Sequence, residues 1–249
     1  MLQLDHLPAP ETLTEQDYQQ LLKILYDEKG RVTQQADQTI SDMMDYYTLW
    51  VHQIKTPIAA MRLLVDAKGG DEALLAELFK IEQYVEMVLT YMRLESESTD
   101  YVLKQCALDD IIRQAVRKYA KLFILKRVAL DYHGTDLTVM SDEKWLGFVI
   151  EQILSNAIKY TNAGAVSIYT SEEKLIIQDT GIGICQADLP RIFQKGFTGY
   201  NGREDKQSTG LGLYLSKRIL RKLSHTILIE SGEQGTKVII GFPKKFMVE

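Results

Sequence analysis

Trp50-Val51-His52-Gln53-Ile54-Lys55-Thr56-Pro57 is the stretch on which the fold turns. It lies inside a run where Ile40, Met43, Met44, Tyr47, Val51, Ile54, Ile58, Met61 and Val65 recur every three or four residues. That spacing lines one face of a long helix. His52 falls at the border of the apolar stripe, about 100° round the helix from Val51. Thr48, Lys55, Thr56 and Ala59 share its flank. Pro57 has no N–H, so the carbonyl of Gln53 loses its helical partner and the helix can bend there.

Downstream, Lys68-Gly69-Gly70-Asp71 breaks the helix, and Asp71 suits the N-cap of the next one. Leu74, Leu75, Leu78, Ile81, Val85, Val88, Leu89 and Met92 carry the same period to about Arg93. Two amphipathic helices joined by a short turn make an αα-hairpin. One hairpin cannot bury such wide apolar faces, so two are expected to pair as a four-helix bundle in a homodimer. Upstream, residues 1–13 read as an extended lead-in. Thr14 is the expected cap of a short helix carrying Tyr18, Leu21, Leu22 and Leu25, which should stop near Gly30.

After Glu95-Ser96-Glu97-Ser98 the texture changes. Short β-like runs are expected at 101–103, 128–132, 166–169, 175–178, 226–230 and 237–241. Helical runs fall at about 109–126, 142–160 and 211–223. Strands interleaved with helices indicate an α+β or α/β sandwich. The glycine-rich, polar stretch 194–210 reads as a mobile loop.

Composition narrows the function. The chain has 249 residues, 45% of them hydrophobic, so it can build a core. A net charge of −5 argues against a nucleic-acid binder. Cys106 and Cys185 form no CxxC pair, and each is expected to be a small buried hydrophobe. No apolar run reaches the ~18 residues of a membrane span, and no signal peptide is legible. The expectation is a soluble piece at the cytoplasmic face, with any membrane anchor lying outside these residues.

Several motifs carry chemistry. A helix-borne imidazole, with an ordinary pKa of about 6.5, is largely neutral at cellular pH and nucleophilic. Glu151 to Thr161 reads as a helix on which Gln152, Asn156, Lys159 and Tyr160 share neighbouring parts of one face. An amide oxygen suits Mg²⁺, a lysine suits phosphate, and an aromatic ring suits a purine. Asp179-Thr180-Gly181-Ile182-Gly183 follows a strand. Its carboxylate can accept a hydrogen bond from an exocyclic amine, and its glycines let the backbone pass close to a base. Gly210-Leu211-Gly212-Leu213 opens a helix whose N-terminus offers free N–H groups to phosphate. Phe193 and Phe197 flank the mobile stretch, which also holds Lys195 and Arg203.

In order, these segments resemble the bacterial two-component sensor histidine kinases. His52 to Pro57 looks like the H-box. Asn156, Asp179 to Gly183, Phe193 to Phe197 and Gly210 to Leu213 look like the N-, G1-, F- and G2-boxes of the Bergerat (GHKL) ATP-binding fold. Gly235-Thr236 resembles the family's last motif, where a threonine hydroxyl helps hold adenine through water. The resemblance implies an α+β protein: a dimeric helical hairpin followed by a Bergerat sandwich. It implies a connector over 1–35, the phosphotransfer hairpin over 36–98 and an ATP-binding domain over 101–247. The implied site comprises His52, Gln53 and Thr56 on the hairpin. With ATP it places Asn156, Lys159, Tyr160, Asp179, Gly181, Gly183, Phe193, Phe197, Gly210, Leu211, Gly212, Leu213 and Thr236, with Asn156 on Mg²⁺.

The implied reaction moves the γ-phosphate of ATP to His52, then to an aspartate on a response-regulator receiver domain. Thr56 stands where the family places the residue tied to dephosphorylating the regulator. Gln53 departs from the usual Glu or Asp after the histidine. Its amide oxygen can orient the imidazole but cannot take a proton. His-Gln-Ile-Lys-Thr-Pro is similar to kinases with little extracellular sensor, some of which work with ABC transporters. Two rivals remain: an ATP hydrolase of the same fold, for which Gln152 stands where a glutamate base is needed, and a non-catalytic dimeric scaffold, favoured by Gln53.

Overall fold

The computed structural model describes residues 9–67, 71–95, 101–199 and 209–243, and omits some side chains within the two long helices, His52 among them. The expected turn at Lys68–Gly70, the segment 96–100, the loop residues 200–208 and both chain ends lie outside the described residues.

The first helix starts two residues earlier than the sequence suggests. Thr12, not Thr14, is the cap: its hydroxyl accepts from the Glu15 N–H at 3.2 Å, and the Glu15 carboxylate reaches back to the N–H groups of Glu11 and Thr12. This is a reciprocal capping box. From there α1 runs unbroken over Leu13–Ala67, through both Gly30 and Pro57. A glycine inside a helix costs only about 1 kcal/mol, and nothing lies within 4 Å of the position a side chain would take. The helix formers around Gly30 and the Glu28–Arg31 ion pair at 2.6 Å carry the helix across it, so the expected stop there is wrong.

Helix α2 covers Glu72–Glu95. Its cap is Asp71, whose Oδ1 accepts from the Leu74 N–H. Val85 and Leu89 bury Val51 of α1 and pack on Ile54, and Arg62 bonds Glu82 at 2.8 Å farther along. The apolar face of α1 is wider than α2 can cover: Met43 and Met61 stay 46% and 43% exposed.

The remaining lobe starts with β1 (Lys104–Ala107), α3 (Leu108–Lys126), β2 (Val128–Tyr132) and β3 (Thr138–Ser141). It continues through α4 (Glu143–Tyr160), β4 (Gly164–Ser171) and β5 (Lys174–Asp179). After a short 3₁₀ turn at Leu189–Arg191 come α5 (Gly212–Lys222), β6 (Thr226–Gly232) and β7 (Gly235–Gly241). The main sheet has the order β2-β4-β5-β7-β6, parallel only between β2 and β4. Alternation sets its faces: Val166, Ile168, Leu175, Ile177, Val238 and Ile240 point into one core with α3, α4 and α5. This is the α+β sandwich anticipated from the sequence.

Strands β1 and β3 form a separate antiparallel ribbon that no expected run located correctly. The apolar signal at 101–103 reflects packing instead: the Tyr101 ring lies 5.4 Å from Trp145. Asp142 locks this corner with both oxygens. Oδ1 caps α4 through the N–H groups of Lys144 and Trp145, and Oδ2 accepts from Val102 at 2.9 Å. Cys106 is buried as expected, whereas Cys185 is exposed, on the turn after β5 at the cavity lining, so the expected burial there is wrong.

His225 is 5% exposed, with Nε2 at 2.9 Å from Ser141 Oγ and its ring edge-on to Phe242. Burial disfavours the imidazolium and pushes its pKa down to about 4 from 6.5. The unfolded chain therefore takes up a proton between those values while the folded one does not, so stability falls as pH drops from 6.5 toward 4. Urea midpoints measured across that window should decline for the wild type, and His225→Gln should remove part of the decline.

Candidate functional site

One cavity of about 490 Å³ opens beside the sheet between α4, the turn after β5 and the start of α5. Four stretches far apart in sequence meet there: Gln152, Asn156, Lys159 and Tyr160 from α4, Asp179 and Gly183 from the β5 turn, Gly210, Gly212 and Leu213 at α5, and Thr236 on β7. Phe197 also lines it, with the Arg191 guanidinium 4.5 Å from its ring.

Asp179 organises the floor. It is 7% exposed at the end of β5. Its Oδ1 accepts from the Gly181 N–H at 2.9 Å and from the Thr236 N–H at 3.2 Å. Burial pushes the carboxyl pKa up, and the two N–H groups pull it back. Both donors use one oxygen, which leaves Oδ2 able to accept from a further donor.

The glycines here answer to close backbone approaches. A side-chain carbon on Gly181 would meet the carbonyl of Tyr160 at 2.4 Å. On Gly183, at φ 69°, it would sit 1.8 Å from the carbonyl of Gly232. The chain can therefore cross the end of α4 and lie against the β6–β7 turn only with hydrogen at both places. Ser231 closes the turn: its hydroxyl accepts from the Ile184 N–H at 2.8 Å, donates to the Gly235 carbonyl and lies 2.9 Å from Thr236 Oγ1.

The N-terminus of α5 carries no side-chain cap, and Leu211 precedes its first residue. Among the described residues no carboxylate bonds its first backbone N–H groups, which lie where Gly212 and Leu213 line the cavity. Gly212 lies against Gln152 Oε1, where a side-chain carbon would come within 2.8 Å. Gly196 donates to the Gly210 carbonyl at 3.1 Å and fixes the chain before this helix.

Three expected residues do not line the cavity. Gly181 acts from beneath through Asp179. Leu211 packs on the core. Phe193 lies under the Lys217 ammonium, 4.7 Å from its ring. Lys195 bonds the Tyr91 hydroxyl on α2 at 2.5 Å, and Arg203 lies outside the described residues. His52, Gln53 and Thr56 sit on α1, away from the cavity lining, with Gln53 and Thr56 exposed.

Sequence reasoning missed one whole wall. Lys80, Gln83, Tyr84 and Met87 of α2 line the cavity, as does Lys126, whose ammonium bonds the carbonyls of Ile158 and Lys159 at the end of α4. Nothing in their local pattern marks them, because the docking of α2 on the lobe creates the contact. Ser231 was equally silent, an ordinary serine before a turn.

Comparison with known proteins fits this geometry. Residues 141–245 match the family model for histidine kinase-, DNA gyrase B- and HSP90-like ATPases. The chain is similar to the sensor histidine kinase GraS of Staphylococcus haemolyticus, 35% identical over 234 residues, covering 90% of this chain and 68% of that one. It is also 32% identical to the sensor histidine kinase YxdK and 33% to the sensor protein BceS of Bacillus subtilis. Each of those matches covers 80% of this chain, and 65% and 62% of those proteins. In fold it resembles full-length ShkA, crystallised in complex with AMPPNP, with a TM-score of 0.57 at 21% identity, covering 80% and 45% of the two chains. It also resembles the histidine kinase AdeS of Acinetobacter baumannii, with a TM-score of 0.52 at 22% identity, covering 78% and 98%.

This chain belongs to the sensor histidine kinases and carries the ATPase-type domain of that family. It spans about two thirds of the length of the curated relatives it matches. Among the described residues, no helix is long and apolar enough to cross a membrane.

Gly183→Ala tests the close approach. The left-handed backbone alone should cost about 1–3 kcal/mol, and displacement of Gly232 adds to it. Thermal unfolding of the lobe should shift down, and nucleotide binding followed by fluorescence should weaken at temperatures where the variant remains folded.

Proposed function

We propose that this chain holds Mg-ATP in the cavity, autophosphorylates at His52 and passes the phosphoryl group to an aspartate of a response-regulator receiver domain. The observation that carries this reading is the convergence of Asn156, Asp179, the Gly210–Leu213 helix start and Thr236 on one cavity. Adenine would sit at the Asp179 end, its exocyclic amine donating to Oδ2. The phosphates would lie toward Lys159 and the uncapped α5, where N–H groups and ammonium offset their charge.

Magnesium fits the donor set modestly. Among the described residues no group of three or more His, Cys, Asp or Glu side chains gathers to hold a metal, so the ion would take the Asn156 amide oxygen, phosphate oxygens and water. Bound there, it would supply charge neutralisation to the phosphates. The chain's own residues position and desolvate, which is most of what phosphoryl transfer asks of a protein. On the hairpin, Gln53 orients the His52 imidazole through its amide oxygen, and Thr56 serves dephosphorylation of the regulator.

In this reading residues 1–35 are the connector, 36–98 the phosphotransfer hairpin and 101–247 the ATP-binding domain. The hairpin dimerises. Leu74 and Ile81 are 46% and 42% exposed on α2, and with Met43 and Met61 of α1 they supply the apolar surface for a second copy. An ABC transporter, reached through a membrane part outside these residues, is the finer partner reading and rests on the His52–Pro57 sequence.

An ATP hydrolase fits the site less well. Gln152, which lines the cavity, cannot act as a base, and the neighbouring Glu151 lies outside the lining and bonds Lys118. A scaffold without catalysis differs in outcome: it would bind ATP and leave His52 unlabelled.

Incubation with γ-labelled ATP should put a base-stable, acid-labile phosphoryl group on the wild type. His52→Gln should lose it entirely while still binding nucleotide; label persisting at the normal rate overturns the proposal. Gln53→Ala should slow labelling, whereas equal rates would remove the orienting role of Gln53.

Asp179→Asn supplies a second test. Its amide oxygen still accepts from Gly181 and Thr236, but an NH₂ now faces the adenine amine. A donor set against a donor should cost about 1–3 kcal/mol. ATP affinity, read by competition, should fall about tenfold or more, while GTP, with a carbonyl at that position, should lose less.

A further inference from the structure

Ser231 and Thr236 face each other across strands β6 and β7, next to the Gly232–Gly235 end of their hairpin. Alternation along the two strands puts them on the face that carries Ile229 and Val238. Ile229, Thr236 and Val238 line the cavity, and Ser231 lies outside the lining. Whatever Ser231 does to a ligand therefore passes through its neighbour.

A serine hydroxyl has one proton to give and two lone pairs to accept with. All three are assigned at Ser231. The Ile184 N–H donates to its Oγ at 2.8 Å and occupies one lone pair. The Gly235 carbonyl lies at 3.1 Å and has no proton of its own, so the Ser231 proton goes there. Thr236 Oγ1 lies 2.9 Å away on the remaining side. With the serine proton committed, the donor in that bond is Thr236. Its hydroxyl proton is spent on Ser231, and lone pairs are all that Thr236 Oγ1 has left for the cavity.

Asp179 repeats this polarity from the neighbouring strand. Its Oδ1 accepts from the Thr236 N–H at 3.2 Å, so Thr236 is held at two points, its N–H by Asp179 and its hydroxyl by Ser231. Its Oδ2 keeps capacity to accept. A base at this end of the cavity thus meets acceptors on both β5 and β7. The amine of adenine answers them with protons. The carbonyl that hypoxanthine carries on the same ring carbon sets an oxygen against oxygens, and a polar group left unmatched in a buried site is costly.

We propose that Ser231 is a positioning residue for base selection: it fixes the Thr236 hydroxyl as an acceptor and so makes the cavity favour an aminopurine over an oxopurine. The inference deepens the nucleotide reading above and rests on it. Without the Ser231 hydroxyl, Thr236 Oγ1 regains a proton that it can turn toward a base carbonyl, and the preference relaxes.

The test measures the affinities of the full chain for ATP and for inosine triphosphate, by competition against a fluorescent nucleotide, and follows their ratio. Ser231→Ala should weaken ATP relative to inosine triphosphate by about threefold to tenfold, the worth of one neutral hydrogen bond. Thr236→Val, which removes the acceptor, should lower the ratio as well. In the double variant the ratio should fall no further than in Thr236→Val alone, because Ser231 acts only through that hydroxyl. A merely structural loosening of the turn would weaken both nucleotides alike. An unchanged ratio in Ser231→Ala therefore overturns the proposal, as does a second, additive fall in the double variant. If Ser231→Ala does not fold, Thr236→Val decides, and an unchanged ratio there overturns the acceptor role. A wild type that binds both nucleotides equally overturns base selection and leaves the nucleotide reading standing. A wild type that binds neither overturns both.

Discussion

The carboxylate of Asp179 is the joint on which the site depends. One oxygen gathers the N–H of Gly181 from the turn and the N–H of Thr236 from the neighbouring strand. A buried carboxylate is costly unless its charge is met by donors, and these two donors are backbone groups that only a change to proline would remove. The bond pattern fixes the turn after β5 against β7, which in turn forces Gly183 against Gly232 and brings Ser231 under Ile184. Satisfying that buried charge takes one oxygen and leaves the other with capacity to accept a further hydrogen bond.

A second constraint governs the hairpin. An isolated helix has one stripe to bury, but α2 has two neighbours to serve, α1 and the ATP-binding lobe, and keeps Leu74 and Ile81 exposed besides. Its apolar content is accordingly spread round much of its circumference, interrupted by Gln83 and Glu86, which make the polar contacts to Tyr119 and Lys118. The distribution explains how one helix can belong to a hairpin and still line the cavity.

Much of this was readable beforehand, for identifiable reasons. Helices α3, α4 and α5 were found where expected because each pairs a strong apolar period with a clear boundary, such as Asp142 before α4. The cavity residues on α4, β5 and β7 were legible as an ordered series of motifs that resembles a known family, since a polar helix face or an Asp-Gly pair alone has ordinary structural uses. Gly30 misled because a breaker signal is weak, about 1 kcal/mol, against a long helix capped by Thr12 and Glu15. The β1–β3 ribbon was hidden because its short strands bury only alternate residues against each other, and Tyr101 beside Trp145 imitated a strand.

What the chain order alone determined was the set of parts: a histidine on a proline-marked amphipathic helix, a partner helix, and an ordered series of glycine, asparagine and aspartate motifs. Local periodicity and turn chemistry encode these, because they depend on neighbours a few residues apart. Only the tertiary structure decided that α2 walls the cavity, that Lys118 bridges Glu86 to Glu151, that Ser231 closes the turn, and that Cys185 stays exposed. Those relations join residues tens of positions apart, and they arise from which surfaces remain to be buried once the sheet and its helices have packed.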